Sequence, residues 1–143
     1  MTASDLSRLI AAGEVRPSEV MEATLSRVAA VNGTVNAIVS MPDADVLMDQ
    51  ARAADAAPRR GWLHGIPMAV KDLVAVKGIR TTWGSPIFAG HVPVADDLLA
   101  ARMRAAGAIF IGKTNTPEWG HGSHSFHPVH GAVSYTHLTL QTI

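Results

Sequence analysis

Apolar positions in the first part of the chain recur at helical spacing. In "RPSEVMEATLSRVAAVNG", Val20, Leu25 and Val28 fall near that spacing, which predicts a helix stopped by Asn32-Gly33. Upstream, "ASDLSRLIAAGEV" predicts a short helix with Ser4 as N-cap and Gly13 as C-cap. "VNAIVS" is a short strand or extended segment. A third helix is expected from Asp43 to Ala57, ended by Pro58, and "RRGWLHG" is a loop. Strand character follows at Ile66–Val70 and at Ala108–Lys113. Between them "ADDLLAARMRAAG" looks helical, with Asp96 near its start and Gly107 just past its end. Helix, strand and loop in this alternation predict an α/β fold. The last eleven residues, "VSYTHLTLQTI" (Val133–Ile143), are nearly uncharged and rich in threonine; on pattern alone they are a terminal strand.

Composition narrows the picture. The chain has 143 residues, enough for one domain of modest size, and 48% of them are hydrophobic, which favours a packed core over disorder. Twelve basic and twelve acidic residues cancel, and no charge block marks a nucleic-acid footprint or a membrane-binding face. The absence of cysteine excludes disulfides, thiolate metal sites and a cysteine nucleophile. "MTASDLSRLI" lacks the basic and apolar regions of a secretion signal, and no stretch approaches a membrane span. A cytoplasmic protein is the expectation.

One run carries a chemical question. "PMAVKDLVAV" places Lys71 and Asp72 inside an apolar strand, with Met68 and Val70 expected on one face and Ala69 and Lys71 on the other. Lys71 either snorkels to water or pairs with Asp72, or it is a desolvated lysine able to act as a base. "GKTNTPEWG" (Gly112–Gly120) reads as a helix start with Thr116 as cap, Pro117 at the first position and Glu118 in the first turn; Lys113 is read as structural. "HGSHSFHPVH" spaces His121, His124, His127 and His130 three apart. Four imidazoles could form a metal site, but Gly122 and Pro128 interrupt any single helix and no carboxylate sits nearby to orient the rings, so a loop over a pocket is the simpler reading.

The company Lys71 keeps adds a resemblance. "GIPMAVKD", "KGIRTTWGS", "DDLLAARMRAAGAIFIGKTNTPEWG" and "FHPVHGA" stand in this order and spacing between Ser4 and Ala132. Together they resemble the N-terminal part of the amidase signature family. The resemblance implies an α/β fold with a mixed β-sheet flanked by helices, truncated before the serine motifs. It also implies amide hydrolysis by a Ser–cis-Ser–Lys triad through an acyl-enzyme, without cofactor or metal. Lys71 corresponds to the lysine, held neutral by its surroundings, that takes a proton from the bridging serine, which in turn activates the nucleophile. Asn115, Thr116 and Gly120 correspond to residues beside the substrate. "TNTPEWG" is closer to the hydrolases than to the glutamyl-tRNA amidotransferase A chains, which stay the alternative within the family.

The family continues with a GGSSGG-type stretch bearing the cis serine and a D-x-G-G-S motif bearing the nucleophile. Neither is present here, and Ser123, Ser125 and Ser134 lack that glycine context. Residues 1–132 are therefore expected to be the N-terminal part of an amidase domain, inactive alone. Its strands Ile66–Val70 and Ala108–Gly112 are expected to have unpaired edges. Residues 133–143 resemble a translated adapter or vector artefact outside the native fold. The implied partner is a small-molecule amide, with neither nucleic acid nor membrane, and a homodimer is allowed for the full-length protein. The alternative from another class is a small non-catalytic domain, binding metal through the four histidines.

Overall fold

The computed structural model describes residues 2–134. Helix α1 spans Ala3–Ala12, α2 Pro17–Val35, α3 Ala44–Ala56 and α4 Leu98–Ala105; strand β1 spans Ile38–Ser40, β2 Pro67–Lys71 and β3 Ile109–Thr114. The strands form one sheet in the order β1-β3-β2. β1 is antiparallel and β2 parallel to β3, so the sheet is mixed, as expected. One expectation fails here. β3 lies at the centre of the sheet with a partner on each side, so Ala108–Gly112 has no unpaired edge; among the described residues β2 is paired on one side only.

Helix ends show where local signals compete. The N-cap of α1 is Thr2, not Ser4. Its hydroxyl accepts from the Asp5 N–H at 3.1 Å, and the Asp5 carboxylate accepts from the Thr2 N–H at 3.0 Å, a reciprocal capping box. Gly13 ends the helix in the left-handed region, as predicted. α2 runs through Asn32-Gly33 and stops at Asn36, itself left-handed at φ 55°. Asn32 is used differently from a stop signal. Its side chain accepts from the Ala37 and Ile38 N–H groups and donates to the Ile38 carbonyl, folding the chain from helix into β1. Asp97 rather than Asp96 precedes α4. Asp96 instead binds the Arg104 guanidinium at 2.7 and 3.1 Å and the Lys77 N–H at 2.7 Å.

The core lies on both sheet faces. Met21 of α2 and Leu47 and Ala51 of α3 pack with Ile109 and Ile111 on one face. Val70, Val76, Ile79, Ala100 and Phe110 pack on the other. Burying such aliphatic side chains contributes about 1.5–3 kcal/mol each against leaving them in water. No helix among the described residues is long and apolar enough to cross a membrane. Val133 is buried, and its N–H donates to the Ser125 carbonyl at 3.0 Å. Ser134 is half-buried, and residues 135–143 of the expected tail lie outside the described residues.

Candidate functional site

Strand register decides where the charged side chains go. Pro67 and Met68 pair with Ile109 and Phe110, but Ala69 pairs with Gly112, so Ile111 is an extra residue in β3. Val70 then lies beside Lys113 and Lys71 beside Thr114. A bulge of this kind re-aims every side chain beyond it. Glycine is required at the step: a Cβ on Gly112 would stand 2.4 Å from the Ser40 carbonyl oxygen of β1. The consequence is that Lys113 shares the buried face with Val70 and Asp72.

Asp72 and Lys113 are both fully buried. Lys113 Nζ lies 3.7 Å from Asp72 Oδ1, donates to Thr81 Oγ1 at 3.0 Å, and also donates to the Val74 carbonyl. Asp72 accepts from the Thr82 N–H at 3.1 Å and from Thr82 Oγ1 at 2.5 Å. The Thr82 hydroxyl accepts in turn from the Gly84 N–H at 3.0 Å. Burial pushes the Lys113 ammonium below the ordinary lysine range, while the Asp72 carboxylate opposes that shift. The sequence reading left open a Lys71–Asp72 pair. The structure corrects it: the partner of Asp72 is Lys113, and the Lys71 side chain is exposed at the end of β2.

The loop after β3 forms no α-helix. Only a single 3-10 turn, Glu118–Gly120, follows Pro117, and Trp119 inside it is left-handed at φ 54°. Thr116 is not a cap; it is fully buried, and its hydroxyl has no partner among the described residues. Asn115 is an internal brace. Its amide donates to the Asn36 and Gly131 carbonyls at 3.4 and 3.3 Å, and its Oδ1 accepts from the Thr116 N–H at 2.9 Å. His127 Nε2 lies 3.0 Å from the same oxygen, and the Val129 N–H donates to His127 Nδ1. These two contacts fix the tautomer with hydrogen on Nε2. Gly120, at φ 75°, approaches Leu73 so closely that a Cβ would meet its Cδ1 at 2.8 Å. The Trp119 N–H donates to the Trp83 carbonyl at 2.7 Å, and the Trp83 N–H donates to the Asp72 carbonyl at 3.1 Å. Loops 81–85 and 116–120 are thereby tied to the residues just after Lys71.

An open cleft of about 630 Å³ lies over this loop, lined by Glu118, His121, His124, Phe126 and His127 among others. Asn115, Thr116, Gly120 and Lys71 do not line it. The histidine row is divided. The His127 and His130 rings meet edge to face at 5.5 Å, and burial pushes both below the ordinary histidine range, so both favour the neutral form. Among the described residues no three histidine or acidic side chains converge on a point where they could hold one metal ion. The Asp72–Lys113 pair escaped the sequence reading because only the bulge brings the two together; the glycine preceding Lys113 was the available sign.

A family model described as Amidase matches residues 19–137. An acylamidase from Rhodococcus erythropolis is 37% identical over 137 residues, covering 91% of this chain and 29% of that protein. The glutamyl-tRNA(Gln) amidotransferase A chain from Salinispora arenicola is 41% identical over 138 residues, covering 91% of this chain and 28% of its own length. The crystal structure of a peptide amidase from Stenotrophomonas maltophilia superposes with a TM-score of 0.82 at 31% identity, covering 93% of this chain and 29% of that one. The chain thus spans under a third of the length of each of these proteins.

Proposed function

The chain belongs to the amidase signature family, and from that premise we propose that it forms the lysine-bearing part of an amide hydrolase, with Lys71 as the general base. In this reading the Lys71 amine, once covered by the serine-bearing portion, takes a proton from a bridging serine. That serine deprotonates the nucleophilic serine, which attacks the amide carbonyl. The proton gathered by Lys71 returns through the bridging serine to the departing nitrogen, and the amine leaves as an acyl-enzyme forms. Water, deprotonated by the same relay, attacks the ester to release the acid and restore the serine. The observation that supports the reading is the place of Lys71 at the end of β2 with its adjacent carboxylate bound to Lys113. The reading requires the serine-bearing portion to cover that exposed amine and favour its neutral form. Asn115 and Gly120 would act by holding the loop that borders this strand end, and the buried Thr116 by packing beneath it.

Both serines of the mechanism are absent from this sequence, so the 143-residue chain is proposed to be inactive alone. A second reading within the family, an amidotransferase A chain, draws on the 41% identity to the Salinispora arenicola protein. The hydrolase reading is favoured by "TNTPEWG" and by the acylamidase relative. Joining residues 1–132 to the serine-bearing portion of the Rhodococcus erythropolis acylamidase tests it. Ammonia release from simple amides should appear in the chimera and fall about 100- to 10,000-fold with Lys71→Ala. Lys71→Arg should fail as well, because a guanidinium stays protonated. Hydrolysis by the unjoined chain, or a chimera equally active with Lys71→Arg, would overturn the assignment.

A further inference from the structure

Lys71 and Asp72 are consecutive, and adjacency alone would let the carboxylate hold the ammonium. The fold prevents this in two ways. Pleating sends Lys71 to the exposed side and Asp72 to the buried side of the strand end. There Asp72 meets a second lysine, delivered by the bulge at Gly112, and two donors from Thr82. Without the extra residue in β3, alternation would turn Lys113 towards the Lys71 side, and Asp72 would have no buried cation.

We infer that Lys113 is a guard cation: by holding the Asp72 carboxylate on the buried face, it keeps that carboxylate from pairing with Lys71 and leaves the Lys71 amine free. Asp72 and Lys113 are in this sense positioning residues for Lys71. The inference rests on the reading of Lys71 as the base, but its test reads the amine itself and needs no activity. The other groups around the pair act in known directions. Asp97 favours the Lys113 charge. His130 reaches the pair through Thr82, its Nε2 lying 3.4 Å from Oγ1. Burial favours the neutral form of His130 and of His127, so neither supplies a substitute cation at neutral pH. If Lys113 loses its charge, Lys71 becomes the nearest cation along the chain for a carboxylate left unpaired, and a buried unpaired carboxylate strongly favours any cation within reach.

The chain has three lysines, Lys71, Lys77 and Lys113, which makes the test direct. The full chain is treated with acetic anhydride at pH 8, and acetylation is read by peptide mass spectrometry with exposed Lys77 as the internal reference. Lys113→Gln keeps a donor for Thr81 and removes the charge. It should lower the ratio of Lys71 to Lys77 acetylation about threefold or more, because a nearby carboxylate favours the unreactive ammonium. Lys113→Arg, which keeps the charge, and Asp72→Asn/Lys113→Gln, which removes both charges, should each return the wild-type ratio. A folded Lys113→Gln protein with the wild-type ratio would overturn the inference. Should that variant not fold, Asp72→Asn decides: an unchanged ratio supports a carboxylate already neutralised by Lys113. A rise of about threefold would show Asp72 acting on Lys71 despite it, and would overturn the inference.

Discussion

Lys71 and Lys113 stand on neighbouring parallel strands, one register step apart, and the fold treats them oppositely. Lys113 is fully buried among Asp72, Thr81 and the Val74 carbonyl; Lys71 stands in water. A buried ammonium costs several kcal/mol unless a counter-charge and hydrogen bonds replace its hydration. Residue type does not separate the two lysines, since both follow a short apolar run. The separation comes from one extra residue in β3, and from one aspartate whose side chain falls on the inner face. The comparison teaches that in this chain one piece of strand geometry buries Lys113 and leaves Lys71 exposed.

The largest effect on stability is expected from breaking the pair at its inner end. Lys113→Met leaves the Asp72 carboxylate buried without a partner and should lower unfolding free energy by about 3–5 kcal/mol. Asp72→Asn/Lys113→Met, which keeps an acceptor for Thr82, should recover most of that loss. Urea denaturation of the three proteins checks both. A loss below about 1 kcal/mol for the single variant would mean the pair holds nothing together. A smaller effect is expected from the bulge. Gly112→Ala drives a methyl against the Ser40 carbonyl oxygen and should cost about 1–3 kcal/mol, as other overpacked sites do. It should also raise acetylation of Lys113, because β1 and β3 must part. Loss of stability without exposure of Lys113 would separate the bulge from the pair.

The smallest effect is a dependence on pH from the histidines beside the pair. Burial holds His127 and His130 below the ordinary value of 6.5, so below that pH the unfolded chain binds more protons than the folded one. Stability from these groups is therefore complete above about pH 6.5 and declines as pH falls towards the depressed folded values, by at most about 1.4 kcal/mol per pH unit for each histidine. Urea midpoints at pH 7.5 and 5.5 read the slope. His127→Gln should flatten it in part, and a slope of opposite sign would mean the rings are charged in the folded state.

Much of the fold was legible because its signals are local. The four helices and three strands fall where periodicity and turn residues place them, and the lysine-aspartate run in β2 marks the strand end. The failures share a cause. Asn32-Gly33 looked like a stop because its use as a tie to β1 requires a contact six residues on. Thr116-Pro117-Glu118 had every mark of a helix start, yet the following residues are drawn towards Trp83 and Leu73 instead. The Lys113–Asp72 pair spans 41 positions and depends on a bulge that leaves only a glycine in the sequence. Three-residue spacing of histidines likewise carried no geometry, since two rings turn inward and no three converge among the described residues.

The contrast between the two lysines is tested most directly by acetylating the unaltered chain under native conditions and following all three lysines in time. Lys71 and Lys77 should be modified at similar rates, and Lys113 should stay unmodified until denaturant reaches the unfolding transition, because its amine is released only by opening of the sheet. Modification of Lys113 within about tenfold of the Lys77 rate in the native protein would contradict the account. So would a Lys71 that is protected as Lys113 is.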